Sequence, residues 1–275
     1  MPIKLIAVDI DGTLLNSKKE MTQATVDALE AAAKAGIHVC ICTGRPWTEC
    51  RAYTDRLPGI RYMVTCTGTQ VIDMQTGADI FRKALSADEL RMLYKIVTAY
   101  GTVPEIFDET NSVHNRASDI ADADFWGVFL ETVQKNHIPE EDLDAYVEHY
   151  HDVTNKIHMY FRDLSCKPKL WEELKKLPYE IMESAPDDLE IMPLGVDKGL
   201  GLQKLAEYLG LKAEEVMALG DGGNDVGMFR YAGTAVAMKN AGEAAKAAAD
   251  RVSNYTNDED GVAKEVWAVL KGETI

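Results

Sequence analysis

The sequence predicts a doubly wound α/β protein, a parallel-sheet core interrupted by an inserted α+β domain. Three observations predict it. Short apolar runs end abruptly in polar, glycine-containing loops. Amphipathic helical stretches alternate with those runs near both ends of the chain. In the middle, over residues 84–188, the alternation gives way to short strand-like pieces and then resumes.

The first run, Ile3 to Val8, is apolar apart from Lys4 and stops at Asp9-Ile10-Asp11-Gly12-Thr13, as a buried strand with a polar loop at its carboxyl end would. Thr22 can cap a helix whose apolar face includes Val26, Leu29 and Ala33, and Gly36 suits its exit. Ile37 to Cys42 is the next strand, followed by Thr43-Gly44-Arg45, with Pro46 placed to open a helix. Tyr62 to Thr65 is a third strand. The middle block holds a helix over Ser86 to Tyr100, strands over Val103 to Phe107 and Ile157 to Arg162, a helix over Lys167 to Lys176, and strands near Tyr179 to Glu183 and Leu189 to Met192. The first rhythm returns at Asp197, a cap for a helix with Leu202, Leu205, Ala206 and Leu209 on one face. Val216 to Leu219 then runs into Gly220-Asp221-Gly222-Gly223-Asn224-Asp225. Strands at Thr234 to Ala237 and Arg251 to Ser253 and helices over Gly242 to Ala249 and Gly261 to Leu270 complete the chain. These boundaries give a core of residues 1–83 and 189–275 and an insertion of residues 84–188.

The chain has 275 residues, enough for two domains, and 45 acidic against 29 basic residues, a formal net charge of -16. That balance argues against a broad phosphate-backbone interface, so no nucleic-acid partner is expected. No apolar run approaches the roughly 18 residues of a bilayer span, and no secretory signal is visible at Met1-Pro2-Ile3-Lys4, so no membrane partner and a cytoplasmic location are expected. The five cysteines (Cys40, Cys42, Cys50, Cys66, Cys166) form no CxxC pair and read as reduced thiols. His149 and His151 lack companions for a metal site and read as surface residues.

Four elements stand at strand ends or a helix start: Asp9-x-Asp11-Gly12-Thr13, Thr43-Gly44-Arg45, Lys198, and Gly220-Asp221-x-x-Asn224-Asp225. In an open parallel sheet, ligands bind at the carboxyl ends of the strands, so the topology gathers these segments at one edge. Carboxylates from Asp9, Asp11, Asp221 and Asp225 crowded there would repel one another. A hard divalent cation such as Mg2+ resolves that conflict. A carboxylate can attack phosphorus to give an aspartyl-phosphate, and a carboxyl group two residues later can protonate the leaving oxygen and then deprotonate water. Gly12 permits a tight backbone around a phosphate, the Thr43 hydroxyl and neighbouring N–H groups can hold its oxygens, and Lys198 supplies positive charge.

With these four motifs in this order, the chain resembles the haloacid dehalogenase-like (HAD) phosphatases, with a Rossmann-like core. The insertion between Thr43-Gly44-Arg45 and Lys198 resembles the large α/β cap of the Cof-like subgroup, as do Gly195-Val196-Asp197-Lys198-Gly199 and Asp258-Glu259-Asp260-Gly261-Val262. The resemblance covers nearly the whole chain and is weakest over residues 115–155. It implies a Mg2+-dependent phosphatase of small phosphomonoesters, such as sugar phosphates, with the cap choosing the substrate. Asp9 would be nucleophile and metal ligand. Asp11 would be general acid/base, with its backbone carbonyl on the metal. Gly12, Thr43, Gly44, Lys198 and Asn224 would bind phosphate. Asp221 would ligate the metal, and Asp225 would sit on Lys198 or a metal-bound water. Arg45 would touch substrate or pair with a carboxylate. One departure stands out: Thr67-Gly68-Thr69 replaces the Asn-Gly-Ala common in the subgroup. A hexose-phosphate mutase would use the same residues, and a non-catalytic metabolite-binding protein on this fold is the reading from another class.

Taken singly, the motifs are weak, because acidic, glycine-containing loops follow many strands and most lysines are solvated. All four in order, each at a strand end or helix start, are hard to reconcile with chance. Trp47, Trp126, Trp171 and Trp267 read as packing residues, as do Met182 and Met192.

Overall fold

The structure is a computed structural model and describes residues 2–127 and 130–273. Two compact units emerge from the contacts. One runs to Arg45, takes in Cys50–Arg82 and resumes at Val196; the other comprises Pro46–Glu49 and Lys83–Gly195.

In chain order, β1 (Leu5–Val8), α1 (Gln23–Lys34), β2 (His38–Cys42), α2 (Trp47–Thr54), β3 (Tyr62–Thr65), β4 (Gln70–Asp73) and β5 (Ala78–Arg82) come first, all in the first unit except the opening residues of α2, which belong to the second. The second unit holds α3 (Ala87–Thr98), β6 (Thr102–Asp108), β7 (Val113–Arg116), α4 (Ala117–Ile120), α5 (Ala123–Trp126) and α6 (Leu130–Asn136). It continues through β8 (His137–Glu140), α7 (Leu143–His149), β9 (Thr154–Phe161), α8 (Lys167–Leu174), β10 (Tyr179–Met182) and β11 (Asp188–Pro193). The first unit closes with α9 (Lys198–Tyr208), β12 (Val216–Gly220), α10 (Val226–Tyr231), β13 (Thr234–Ala237), α11 (Glu243–Ala248), β14 (Arg251–Val252) and α12 (Gly261–Leu270).

The first unit's eight strands lie in the order β14-β13-β12-β1-β2-β3-β4-β5. The six from β14 to β3 are parallel, and β4 and β5 extend the sheet antiparallel. Every residue of β1 is fully buried, as expected of a strand covered on both faces. The helices start where their sequences allow. Thr22 accepts the Thr25 N–H at the head of α1, and Asp197 accepts the Leu200 N–H (2.8 Å) at the head of α9. Gly36, at φ +84°, makes the left-handed exit from α1.

The second unit is a six-stranded sheet ordered β10-β11-β9-β6-β7-β8, antiparallel except where β7 meets β8. β11 pairs with both β9 and β10. The chain therefore leaves this unit after Gly195 rather than at residue 188, and the strand read over Leu189 to Met192 lies in the middle block, as its place in the sequence suggested. One face of β9 offers Ile157, Met159 and Phe161 to a core shared with Leu90, Leu93 and Val97 of α3 and Leu170 and Leu174 of α8. The alternate residues, Lys156 and His158, are buried charges. Lys156 pairs with Glu190 at 2.9 Å, and the His158 ring reaches Glu105 (2.8 Å) and Asp188 (3.2 Å). Trp126 packs with Val103, Ile120 and Val133, and its indole N–H donates to Asp119. Met192 is buried as expected, whereas Trp267 is 39% exposed.

His158 carries a prediction. Burial pushes its pKa down, but its hydrogen bonds to Asp188 and Glu105 more than offset this and raise it to about 10. The stabilisation from its charge is therefore complete below the ordinary value of 6.5 and is lost as pH climbs through about 10. His158→Leu removes the cation shared by two buried carboxylates and is expected to destabilise the second unit by about 3–5 kcal/mol in denaturant unfolding. In the same measurement its alkaline loss of stability should be smaller than that of wild type.

Candidate active site

The four segments singled out in the sequence all lie in the first unit. Asp9 follows β1, Thr43 follows β2 and Asp221 follows β12; these three strands are neighbours, with β1 in the middle. The strand order reverses at β1, because one crossover leads to β2 on one side and β12 lies on the other. This is where an α/β sheet opens a crevice at its carboxyl edge. Lys198 is the first residue of α9 and arrives at the same place.

After β1 the chain curls back on itself, with Leu14 N–H donating to the Asp9 carbonyl (3.1 Å) and Leu15 N–H to that of Ile10 (3.0 Å). Gly12 makes the curl possible at φ +80°, and a Cβ there would sit 2.2 Å from Asp221 Oδ2. Both the turn and the close approach demand glycine. Thr13 Oγ1 donates to Asp221 Oδ1 at 2.8 Å, and Asn240 Nδ2 donates to the Gly12 carbonyl at 2.8 Å.

Lys198 is the centre of the cluster. Its ammonium is fully buried and donates to Asp9 Oδ1 and Asp225 Oδ1, both at 2.6 Å, and to Asn224 Oδ1 at 3.4 Å. Asp225 Oδ2 in turn accepts the backbone N–H groups of Asp221 and Gly222, each at 2.9 Å. Asp225 is thus both a brace for the loop after β12 and a partner for Lys198.

One ammonium faces several carboxylates here, so the charges do not balance. Burial pushes the Lys198 pKa down, but the charges of Asp225 and Asp9 outweigh it, and the side chain stays protonated. Asp9 goes the other way: burial, reinforced by Asp225 and Asp221, pushes its carboxyl well above the usual range against the pull of Lys198. Burial also raises Asp221, opposed by the Thr13 bond and aided by Asp225, to about 6. Asp9, Asp221 and Asp225 each offer a carboxylate oxygen within 4.8 Å of the others. Under-compensated carboxylates converging at that distance form a donor set of hard oxygens suited to a divalent cation.

The Asp11 side chain lies outside this convergence. Arg45 grips it with Nε and Nη2, each at 2.8 Å, and Lys19 adds a third bond at 3.1 Å. Burial acts to raise the Asp11 carboxyl, but Arg45 and then Lys19 outweigh it and hold it at about 2. The sequence expectation grouped four carboxylates around one cation. The structure groups three, because a guanidinium fork competes for the fourth. It also gives Arg45 a carboxylate partner, Asp11. Thr43 is buried, and its Oγ1 accepts the Arg45 N–H at 3.1 Å. Gly44 lies between them, half-buried.

Three contributors had no assigned role in the sequence. Thr13 could have been found, since it completes the Asp-x-Asp-Gly-Thr motif. Lys19 and Asn240 carried no signal, because each reaches the site through a turn whose path is set only in three dimensions.

A model of the haloacid dehalogenase-like hydrolase family matches residues 6–266. The chain is 32% identical over 265 residues to a 5-amino-6-(5-phospho-D-ribitylamino)uracil phosphatase, YcsE, of Bacillus subtilis, covering 96% of this chain and 94% of that protein. It superposes on a haloacid dehalogenase-like hydrolase from Bacteroides thetaiotaomicron with a TM-score of 0.83 and 29% identity, over 97% of this chain and 99% of the other. It is similar too to BT4131, a sugar phosphatase of HAD subclass IIB, with a TM-score of 0.79 and 26% identity over 97% and 99% of the two chains. The chain belongs to the haloacid dehalogenase-like hydrolase family and is a phosphatase of small phosphorylated substrates.

Proposed function

We propose that this phosphatase is magnesium-dependent and hydrolyses small phosphomonoesters, sugar phosphates or related metabolites, through an aspartyl-phosphate on Asp9. The observation that carries the reading is the fully buried Lys198 ammonium, bonded to both Asp9 and Asp225 with Asp221 alongside. A buried charge cluster of this kind at a sheet's carboxyl edge is costly for stability alone and suits a site built for anionic phosphate. Asp9, Asp221 and the Asp11 carbonyl would hold Mg2+, with Asp225 acting through Lys198 or a water. The ion supplies compensation for charge on the phosphoryl oxygens.

In this mechanism Lys198 fixes Asp9 by Oδ1 and leaves the other oxygen to attack phosphorus in line with the ester bond. The Thr43 hydroxyl, the Gly44 and Gly12 backbone, Asn224 and Lys198 hold the phosphoryl oxygens. Asp11 gives its proton to the departing ester oxygen as the P–O bond breaks. As a carboxylate it then takes a proton from water, which attacks phosphorus and frees Asp9 and phosphate. In its present place Asp11 is ionised by Arg45 and Lys19, so proton donation requires it to leave Arg45. The names of the relatives support a phosphorylated sugar or sugar-alcohol substrate, since one acts on a phosphoribitylamino-uracil and another is a sugar phosphatase. Substrate choice is assigned to the inserted unit, and a cytoplasmic setting fits cysteines that form no disulfide among the described residues.

Phosphate release from a panel of phosphorylated metabolites, with and without Mg2+, tests the reading. Asp9→Asn is expected to abolish turnover, and Asp11→Asn to slow it by roughly 10²–10⁴-fold. Wild-type rates in purified Asp9→Asn would remove the mechanism. Mg2+ affinity gives a second check. Asp221, raised to about 6 in the metal-free protein, must lose its proton to bind a cation. Calorimetric Mg2+ affinity should therefore fall as pH drops through about 6, by up to about tenfold per pH unit for this one proton. Asp221→Asn should weaken binding and remove much of that slope.

A further inference from the structure

The turn between β3 and β4 is built at a conformational cost that a hairpin connection does not require. Cys66, Thr67 and Gly68 take φ of +48°, +59° and +97° in succession. The left-handed region is disfavoured for residues with a Cβ and most of all for a β-branched one such as Thr67. A four-residue hairpin loop can be closed around a type I turn, with no such run of left-handed residues. Strain of this kind persists only where the surroundings impose it.

The surroundings here are two of the anion-binding segments. Cys66 N–H donates to the Arg45 carbonyl at 3.0 Å, and Thr67 N–H donates to the Thr43 carbonyl at 3.1 Å. These bonds pin the Thr43-Gly44-Arg45 loop on both sides of Gly44. On the opposite side, a Cβ on Gly68 would fall 1.9 Å from the Asp197 carbonyl oxygen and 3.0 Å from Lys198 N. Gly201, one turn into α9, backs on the same place: its Cβ would lie 3.0 Å from Gly68 Cα. All four residues from Cys66 to Thr69 are buried. One strained turn is therefore bonded to the segment bearing Thr43 and pressed against the start of the helix bearing Lys198.

We infer that Cys66-Thr67-Gly68 is a positioning element for phosphoryl transfer, a spacer that sets the separation of the Thr43-Gly44 loop from Lys198, with Thr67 and Gly68 as its positioning residues. It rests on the phosphate-binding roles proposed above for Thr43 and Lys198. A displacement near 1 Å can cost roughly 10²-fold in rate even when no reacting group is touched.

The test uses the full chain, kcat and KM on an aryl phosphate, competitive inhibition by inorganic phosphate, and thermal unfolding. Gly68→Ala is expected to weaken phosphate inhibition and lower kcat, each by about tenfold or more. Thr67→Gly relieves the strain but slackens the turn. Its kcat and phosphate inhibition should fall while its melting temperature stays near that of wild type, and Thr67→Asn, which tolerates the left-handed region, should restore both. If Gly68→Ala does not fold, the Thr67 pair decides. Unchanged kcat and phosphate inhibition in folded Gly68→Ala or in Thr67→Gly, with active wild type, overturns the positioning role alone. A wild type that neither turns over nor is bound by phosphate overturns the reading beneath it.

Discussion

Lys198 sits where it does because three independent pieces of structure bring acceptors to one point. β1 delivers Asp9, the loop after β12 delivers Asp225, and α9 begins with the lysine itself. Burying an ammonium without partners would be prohibitive, so the lysine and the two aspartates constrain one another. Asp225 passes that constraint on through its other oxygen, which holds the backbone of Asp221 and Gly222. The third carboxylate of the cluster, Asp221, is thus oriented by a neighbour already committed to Lys198.

The same arrangement explains why the site is electrostatically unfinished. The lysine is surrounded by more negative charge than it carries, and the aspartates share less positive charge than they need. An added divalent cation would relieve the second imbalance. In the proposed mechanism, the cation would also offset the negative charge that the phosphate brings. A site complete in itself would have little reason to bind either.

Asp11 is governed by a different constraint. It is only two residues from Asp9, but Gly12 turns the chain between them and the motif's next residue, and Asp11 finds Arg45 and Lys19 instead of the cluster of Asp9, Asp221 and Asp225. In the proposed mechanism this separates the two carboxylates by task. Asp9, in the dry cluster, is fixed by the lysine as a nucleophile. Asp11, held by a guanidinium at a partly exposed position, is kept apart until it is needed to move a proton.

Sequence reasoning recovered what is local or periodic. β3 and β13 fall on their expected residues, and α12 does too, because apolar runs bounded by glycine and polar loops leave little freedom. The carboxyl-edge rule then placed Asp9, Thr43 and Asp221 on neighbouring strands without any contact information. It failed where elements are short or polar. β7, β8, α4 and α5 have four residues each, with no clean apolar run to mark them, and one face of β9 buries Lys156 and His158, charged residues that no apolar pattern marks as interior. Their burial makes sense only once Glu190, Glu105 and Asp188 arrive from other strands. The departure at Thr67-Gly68-Thr69 was visible in the sequence but not its meaning. A threonine looks unremarkable until its φ is known to be positive and its N–H is known to hold the loop that carries Thr43. Motifs named the groups that can do chemistry, whereas the groups that hold them in register are backbone atoms, and backbone atoms leave no trace in residue identity.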